Sequence, residues 1–206
     1  MNINKPKIKS TNITTFKDVM NNNIYFNLNI TGNENNINLS DITLDSCIFS
    51  NIDFTNYKIK NLDLIDCIFN DCDISNINFN NRYIRRIKFI NCKLVGTIFD
   101  NTNLTDITFD NCNLKYINFN KTLLKNIEFI NCNLEEATFI ETNIKDIIFN
   151  DCNLKSSDFY KTSLCNIDLS TSNIEGIRTD INNLKGATIN YEQAITVVNI
   201  LGVHVK

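Results

Sequence analysis

An apolar residue stands at every fifth position from Leu39 to Ile174, through Leu44, Phe49, Phe54 and Ile59 and on to Phe159, Leu164 and Leu169. The frame fails only at Thr179 and resumes at Leu184 and Ile189. A period of five fits neither the 3.6 of a helix nor the 2 of a long strand. Two residues in each five turn inward. One is the fifth-position centre; the other lies two before it, where Cys92, Ile107, Cys112, Thr122 and Ala137 stand. With polar residues between them, the pattern suits a short strand and a turn repeated without pause. Each unit then buries its inward residues only against its neighbours, which is the logic of a solenoid.

A longer period sets the cross-section. Asn91-Cys92-Lys93-Leu94, Asn111-Cys112-Asn113-Leu114, Asn131-Cys132-Asn133-Leu134 and Asp151-Cys152-Asn153-Leu154 follow one another at twenty residues. Sorted by every fourth unit, the centres fall into columns. One runs from Phe49 to Phe149, another from Phe79 to Phe159, and two are aliphatic, Leu94–Leu154 and Leu104–Leu164. Second slots sort into Cys, Ile and Thr columns in the same way. Four faces per coil follow, with like residues stacked at about 4.8 Å.

The chain has 206 residues and a formal charge of −3, enough for one domain and not the basic balance of a general nucleic-acid binder. The first ten residues carry charge without an apolar run behind them, and no stretch reaches the length of a membrane helix. A cytoplasmic protein with no membrane contact is expected. The abundance of Asn and Ile is read as a matter of base composition. Cys72, Cys92, Cys112, Cys132 and Cys152 share one slot; with no Cys-x-x-Cys and no His nearby, they are read as small buried side chains rather than a disulfide framework or metal site. His204, the only histidine, is three residues from the end, and no phosphate-binding Gly motif occurs. No catalytic residue, cofactor, metal or small-molecule substrate is therefore expected.

Three segments result. Residues 1–36, locally basic at Lys5, Lys7, Lys9 and Lys17, are read as an N-terminal cap with room for a degenerate first coil, with a helical turn at residues 15–20 and a strand at Ile24–Ile30. Residues 37–189 hold the array. In it, Arg82 takes a second slot whose column otherwise has Leu62, Thr102, Thr122 and Thr142. An unpaired buried guanidinium is too costly, so the chain should bulge there or Arg82 should turn outward. With Arg85, Arg86, Lys88 and Lys93 it forms a basic cluster, read as a solvated patch. Residues 190–206 change grammar. Asn190 and Gln193 form a capping-box pattern, Ala194 to Leu201 have helical spacing, Gly202 is a stop, and a short strand at residues 203–206 is expected.

The array resembles the pentapeptide-repeat family, which implies an all-β fold: a right-handed quadrilateral β-helix with a C-terminal capping and dimerisation helix. The tail resembles that of the Qnr-type quinolone-resistance proteins, in Ile177-Arg178, Leu184-Lys185-Gly186-Ala187, Gln193-Ala194 and Leu201-Gly202-Val203-His204-Val205. That resemblance implies a head-to-head homodimer, here through Ile195, Val198, Leu201, Val203 and Val205. It also implies a rod that mimics DNA, binds DNA gyrase or topoisomerase IV without contacting nucleic acid itself, and confers quinolone resistance. Two features depart from the group: no insertion interrupts the frame from Leu39 to Ile174, so no loop projects, and 36 residues precede the repeats.

Outward charge tests the mimicry independently. The face flanking the Phe49–Phe149 column carries Asp71, Asp110, Glu128, Asp151 and Asp168 against Lys88 alone, net −4. The face flanking Leu94–Leu154 comes to −2, and the other two lie near zero. Duplex DNA is far denser in charge. An acidic stripe nonetheless suits a basic DNA-binding groove. The alternative reading is a non-enzymatic interaction scaffold with a different partner.

Overall fold

The chain is described by a computed structural model over residues 2–9, 13–16 and 24–203. Most of the helical turn expected at 15–20, and His204, Val205 and Lys206, lie outside these residues.

The five-residue frame works because each unit ends in a corner. From Asp41 to Asn166, nearly every fifth residue has a left-handed backbone, with φ between 51° and 63°. Asn and Asp adopt that conformation at the least cost among residues with a side chain, and they fill most corners: Asn91, Asn111, Asn131 and Asp151 in one column. Twelve of the chain's 39 asparagines take this left-handed conformation, so the corners account for part of their abundance. Gly96 takes one corner at φ 67°, with a neighbouring Asn76 oxygen 2.6 Å from where a Cβ would sit.

The strands stack in parallel. The N-terminal ones are β1 (Ile13–Thr14), β2 (Ile24–Phe26) and β3 (Asn29–Thr31). Next come β4 (Asn38–Ser40), β5 (Thr43–Asp45), β6 (Ile48–Ser50) and β7 (Lys58–Lys60). Five eight-residue strands follow: β8 (Asp63–Asn70), β9 (Tyr83–Ile90), β10 (Asn103–Asp110), β11 (Leu123–Ile130) and β12 (Asn143–Asn150). β8 to β12 pair in a register of twenty, Phe89 beside Phe109 and Phe109 beside Phe129. These long strands cover two faces of each coil. On the other two faces the corner is a hydrogen-bonded turn, Ile117 N–H to Leu114 C=O at 3.1 Å for example, and the strands shrink to single bridges such as Lys93↔Asn113 and Ile98↔Asn118. The result is the quadrilateral β-helix the periodicity predicts.

Stacking fills the interior. Ring centroids in the Phe49–Phe149 column lie 4.9–5.2 Å apart, and those in the Phe79–Phe159 column 4.5–5.5 Å. The two columns meet edge-on, Phe119 against Phe109 and Phe129 at 6.3 and 6.0 Å. Such pairs add about 1 kcal/mol each beyond burial. The polar second slots are satisfied by one repeated bond: Thr122 Oγ1 donates to Phe99 C=O at 2.7 Å, and Cys92 Sγ to Phe69 C=O at 3.4 Å. The five aligned cysteines are buried with free thiols.

Arg82 does not disrupt the coil. The register on either side is unbroken, Leu64↔Ile84↔Leu104. The guanidinium turns outward instead, donating through Nε to Asn80 C=O at 3.3 Å and approaching Asp63 at 3.9 Å.

The N-terminal segment is more regular than a simple cap. The expected strand at Ile24–Ile30 is broken by a left-handed corner at Asn27, φ 55°, into β2 and β3. β3 pairs with β6 and β1 with β3, so the ladder extends below Leu39. Phe16, fully buried, stacks on Phe49 at 6.0 Å and closes that end of the column.

At the other end, Asn190 and Gln193 form the reciprocal capping box: Gln193 N–H donates to Asn190 Oδ1 at 2.9 Å and Asn190 N–H to Gln193 Oε1 at 2.8 Å. Helix α1 (Ala194–Ile200) follows. It ends in a Schellman turn, with Gly202 at φ 74° and Val203 N–H bonded to Val198 C=O. Gln193 is buried and its Nε2 donates to Leu169 and Ser172 carbonyls, tying the helix to the last coils.

Candidate partner-binding faces

A twenty-residue coil places residue i beside residue i+20, so charges of opposite sign at that spacing pair along the axis. Lys93 meets Asp73, Lys115 meets Glu135, Lys155 meets Glu175 and Lys161 meets Glu141, all at 3.0 Å, and Arg178 meets Asp158 at 3.1 Å. Part of the basic cluster pairs in the same way, while Arg85 and Lys93 stay exposed to solvent. Arg86 grips Asp66 through Nε and Nη2 at 2.6 and 2.5 Å, and Lys88 reaches Asp110 at 3.3 Å.

The five acidic residues of the Phe49–Phe149 side do share one face. Asp110 and Glu128 flank the strand on adjacent coils, half-buried. Asp71 and Asp151 occupy its exposed corner row, and exposed Asp168 continues the row of Glu128. Asp110 is held by Lys88. Among the described residues, Asp71, Glu128, Asp151 and Asp168 have no ion pair; Asp71 accepts from Asn91 Nδ2 at 3.2 Å. Hydrogen bonds from the Ser170 hydroxyl and N–H hold the Asp168 carboxyl below its usual range.

Residues 2–9 bear on this face. They cross the coils along the axis, pinned by the adjacent corner row. Lys7 N–H donates to Asp66 at 2.9 Å; Asn4 donates to Asp106 through N–H at 3.3 Å and Nδ2 at 3.0 Å. Three extended residues span about 10 Å, matching two coils of about 4.8 Å. Asp66 and Asp106, buried beneath the strap, were not singled out by sequence reading; their forty-residue spacing is the only signal they leave. A cleft of about 330 Å³ between strap and coils is lined by Ile3, Pro6, Ile87, Thr108 and Glu128 among others.

At the C-terminal end, Ile195, Leu201 and Val203 are exposed and Val198 is half-buried. Tyr191, 94% exposed, and Ile181 are also exposed in this C-terminal part of the chain. Val205 lies outside the described residues. Among the described residues no helix is long and apolar enough to cross a membrane, and no group of His, Cys, Asp and Glu is arranged to hold a metal.

A family model described as a pentapeptide repeat region matches residues 62–139 and 108–179, and one for eight pentapeptide copies matches residues 37–81. The chain belongs to the pentapeptide-repeat family. Among solved structures, this pentapeptide-repeat protein is similar to full-length QnrB1, described as a plasmid-mediated fluoroquinolone resistance protein. The two are 23% identical over 87% of this chain and 90% of that one, with a TM-score of 0.52. A trypsin-treated QnrB1 variant matches at 24% identity over 89% and 90% of the two chains, TM-score 0.51. HetL from Nostoc sp. strain PCC 7120, described as involved in heterocyst differentiation regulation, matches at 14% identity over 80% and 86%, TM-score 0.47. No curated protein matches the chain. The likeness to QnrB1 concerns the fold.

Proposed function

We propose that this pentapeptide-repeat protein is a cytoplasmic homodimer that mimics DNA and binds a type II topoisomerase, DNA gyrase or topoisomerase IV, and so confers quinolone resistance. It does this as a surface rather than as an enzyme, without touching nucleic acid. The observation that carries the reading is the uncompensated acid on one face. Asp73, Glu135, Glu141, Asp158 and Glu175 each have a cation one coil away, whereas Asp71, Glu128, Asp151 and Asp168 have none among the described residues. An unneutralised stripe on a narrow rod steers a basic groove as duplex phosphate does. The Qnr-like tail residues and the fold shared with QnrB1 support the same partner class.

The test is gyrase supercoiling with titrated protein, with and without a fluoroquinolone. Rescue of drug-blocked supercoiling is expected. Asp110→Asn, Glu128→Gln and Asp151→Asn together should weaken gyrase binding about tenfold, at about 0.5 kcal/mol per charge removed, and leave the fold intact. Unchanged binding by that triple variant would sink the mimicry mechanism.

A second reading, a scaffold for a different protein partner, is favoured by the strap, which lies beside Glu128, and by the Lys88–Asp110 pair, which together cover part of the acidic face. Recovery of a protein other than gyrase subunits by pull-down from the host, with no effect on its supercoiling, would select it.

A further inference from the structure

The parallel ladder is broken beside β12. β12 pairs with β11 along its whole length, yet no backbone hydrogen bond joins it to residues 163–170 of the next coil. On the two turn faces the same coils remain joined, Asn153↔Asn173 and Asp158↔Arg178. Between these two coils the rod therefore opens on the long-strand faces only.

The cause is a change of corner. Asp146 turns within an extended strand, like Asp106 and Asn126 before it. The next corner, at Cys165–Asn166, is a tight turn closed by Ile167 N–H to Leu164 C=O at 3.1 Å. The two paths cannot keep register. Hydroxyls bridge the ends of the gap: Thr142 N–H donates to Thr162 Oγ1 at 2.9 Å and Cys152 N–H to Ser172 Oγ at 3.1 Å.

Elsewhere in the array, centre and corner residues donate forward, as Leu94 does to Asn113 C=O and Gly96 to Lys115 C=O. By that alternation the N–H groups of Ile144, Asp146 and Phe149 and the carbonyls of Thr142 and Ile147 face the gap, and none makes a backbone hydrogen bond across it. Exposure agrees: residues 143, 145, 146, 148 and 150 are exposed, while four of their five β11 counterparts are half-buried. A cleft of about 430 Å³ lies there, lined by Ile144, Asp146, Ile147, Ile148, Cys165 and Asn166 among others.

We propose that the β12 edge is a strand-addition site for an extended protein segment. Main-chain donors and acceptors left without a backbone partner along an open cleft form a template for another strand. Strand addition uses that template, with side chains at alternate positions setting preference. Ile144 and Ile147 take a β-branched residue, and exposed Asp146 takes a lysine or arginine. This site lies on a different stretch of the rod from the strap and does not depend on the topoisomerase reading.

Cys165 supplies the test, because the other seven cysteines are buried. A thiol beside the cleft raises the effective concentration of a tethered peptide to the millimolar range. Acetyl-Cys-Thr-Val-Lys-Val-Thr-amide and a twin N-methylated on both valines are equilibrated with the full chain under a thiol redox buffer, and the mixed disulfide is quantified by mass. Amide exchange is followed in parallel. The expected result is at least tenfold more capture of the unmethylated peptide. In the free protein the Ile144, Asp146 and Phe149 amides should exchange faster than those of Leu124, Asn126 and Phe129, and they should slow on capture. A capture ratio below ten, or amides already as protected as their β11 counterparts, overturns the proposal.

Discussion

At the scale of single residues, the corner dominates. Each coil turns through left-handed residues, and the cost of that conformation depends on the side chain placed there. Asn and Asp hydrogen-bond locally and tolerate it; Tyr116, Lys121 and Glu141 gain no such help at φ 61°, 53° and 56°. Lys121→Gly should therefore raise stability by about 1 kcal/mol, the left-handed penalty removed net of glycine's own entropy. Urea unfolding checks it, and a lower midpoint would show that the corner is unstrained. The Thr and Cys columns follow the same economy of local satisfaction. A buried hydroxyl or thiol at the second slot points at a carbonyl three residues beyond one coil back, so a polar atom in the core costs little.

At the scale of elements, the strap and the terminal helix are joined to the array by few, specific bonds. Asp66 is the strap's anchor. Burial opposes its ionisation most strongly, but hydrogen bonds from Arg86 and the Lys7 N–H outweigh it and hold the carboxyl below the usual range. A lowered folded value means stability that is present above the unfolded value of about 3.9 and is lost as pH falls through the lower, folded one. Unfolding midpoints should accordingly be flat from pH 7 to about 4 at this site and then decline. Asp66→Asn should cost about 3 kcal/mol at pH 7 by leaving a largely buried guanidinium without its partner, and it should flatten that acid decline. An undiminished slope in the variant would assign it to other carboxylates.

At the scale of the whole molecule, the rod presents two different ends and unequal sides. The N-terminal end is sealed by Phe16; the C-terminal end carries exposed Tyr191, Ile195, Leu201 and Val203 around a short helix fixed by Gln193. Apolar residues exposed there suit a twofold contact with a second copy, since isologous association covers both sets at once. Leu201→Asp should convert a dimer of about 47 kDa, twice the 23.7 kDa chain, to a monomer in light scattering without altering the β-helix spectrum. A wild-type protein that scatters as a monomer would remove the dimer.

Sequence alone determined the repeat, the four faces and the two phenylalanine columns, because inward positions at a strict period must meet their own kind one coil on. The capping box at Asn190–Gln193 and the stop at Gly202 were legible for a similar reason, each being a local pattern complete within a few residues. The ion pairs were half legible. Charge signs at a spacing of twenty foretell them, but a face-by-face count treats Lys88 and Asp110 as separate charges when they neutralise each other. Tertiary structure decided the rest. Asn4 and Lys7 find Asp106 and Asp66 across 102 and 59 residues, a contact no local pattern encodes. The opening beside β12 arises where two corners of different geometry are stacked. The five-residue frame passes through Ile144 and Leu164 unchanged, since hydrophobic spacing records which side chains face inward and not the path the backbone takes between them.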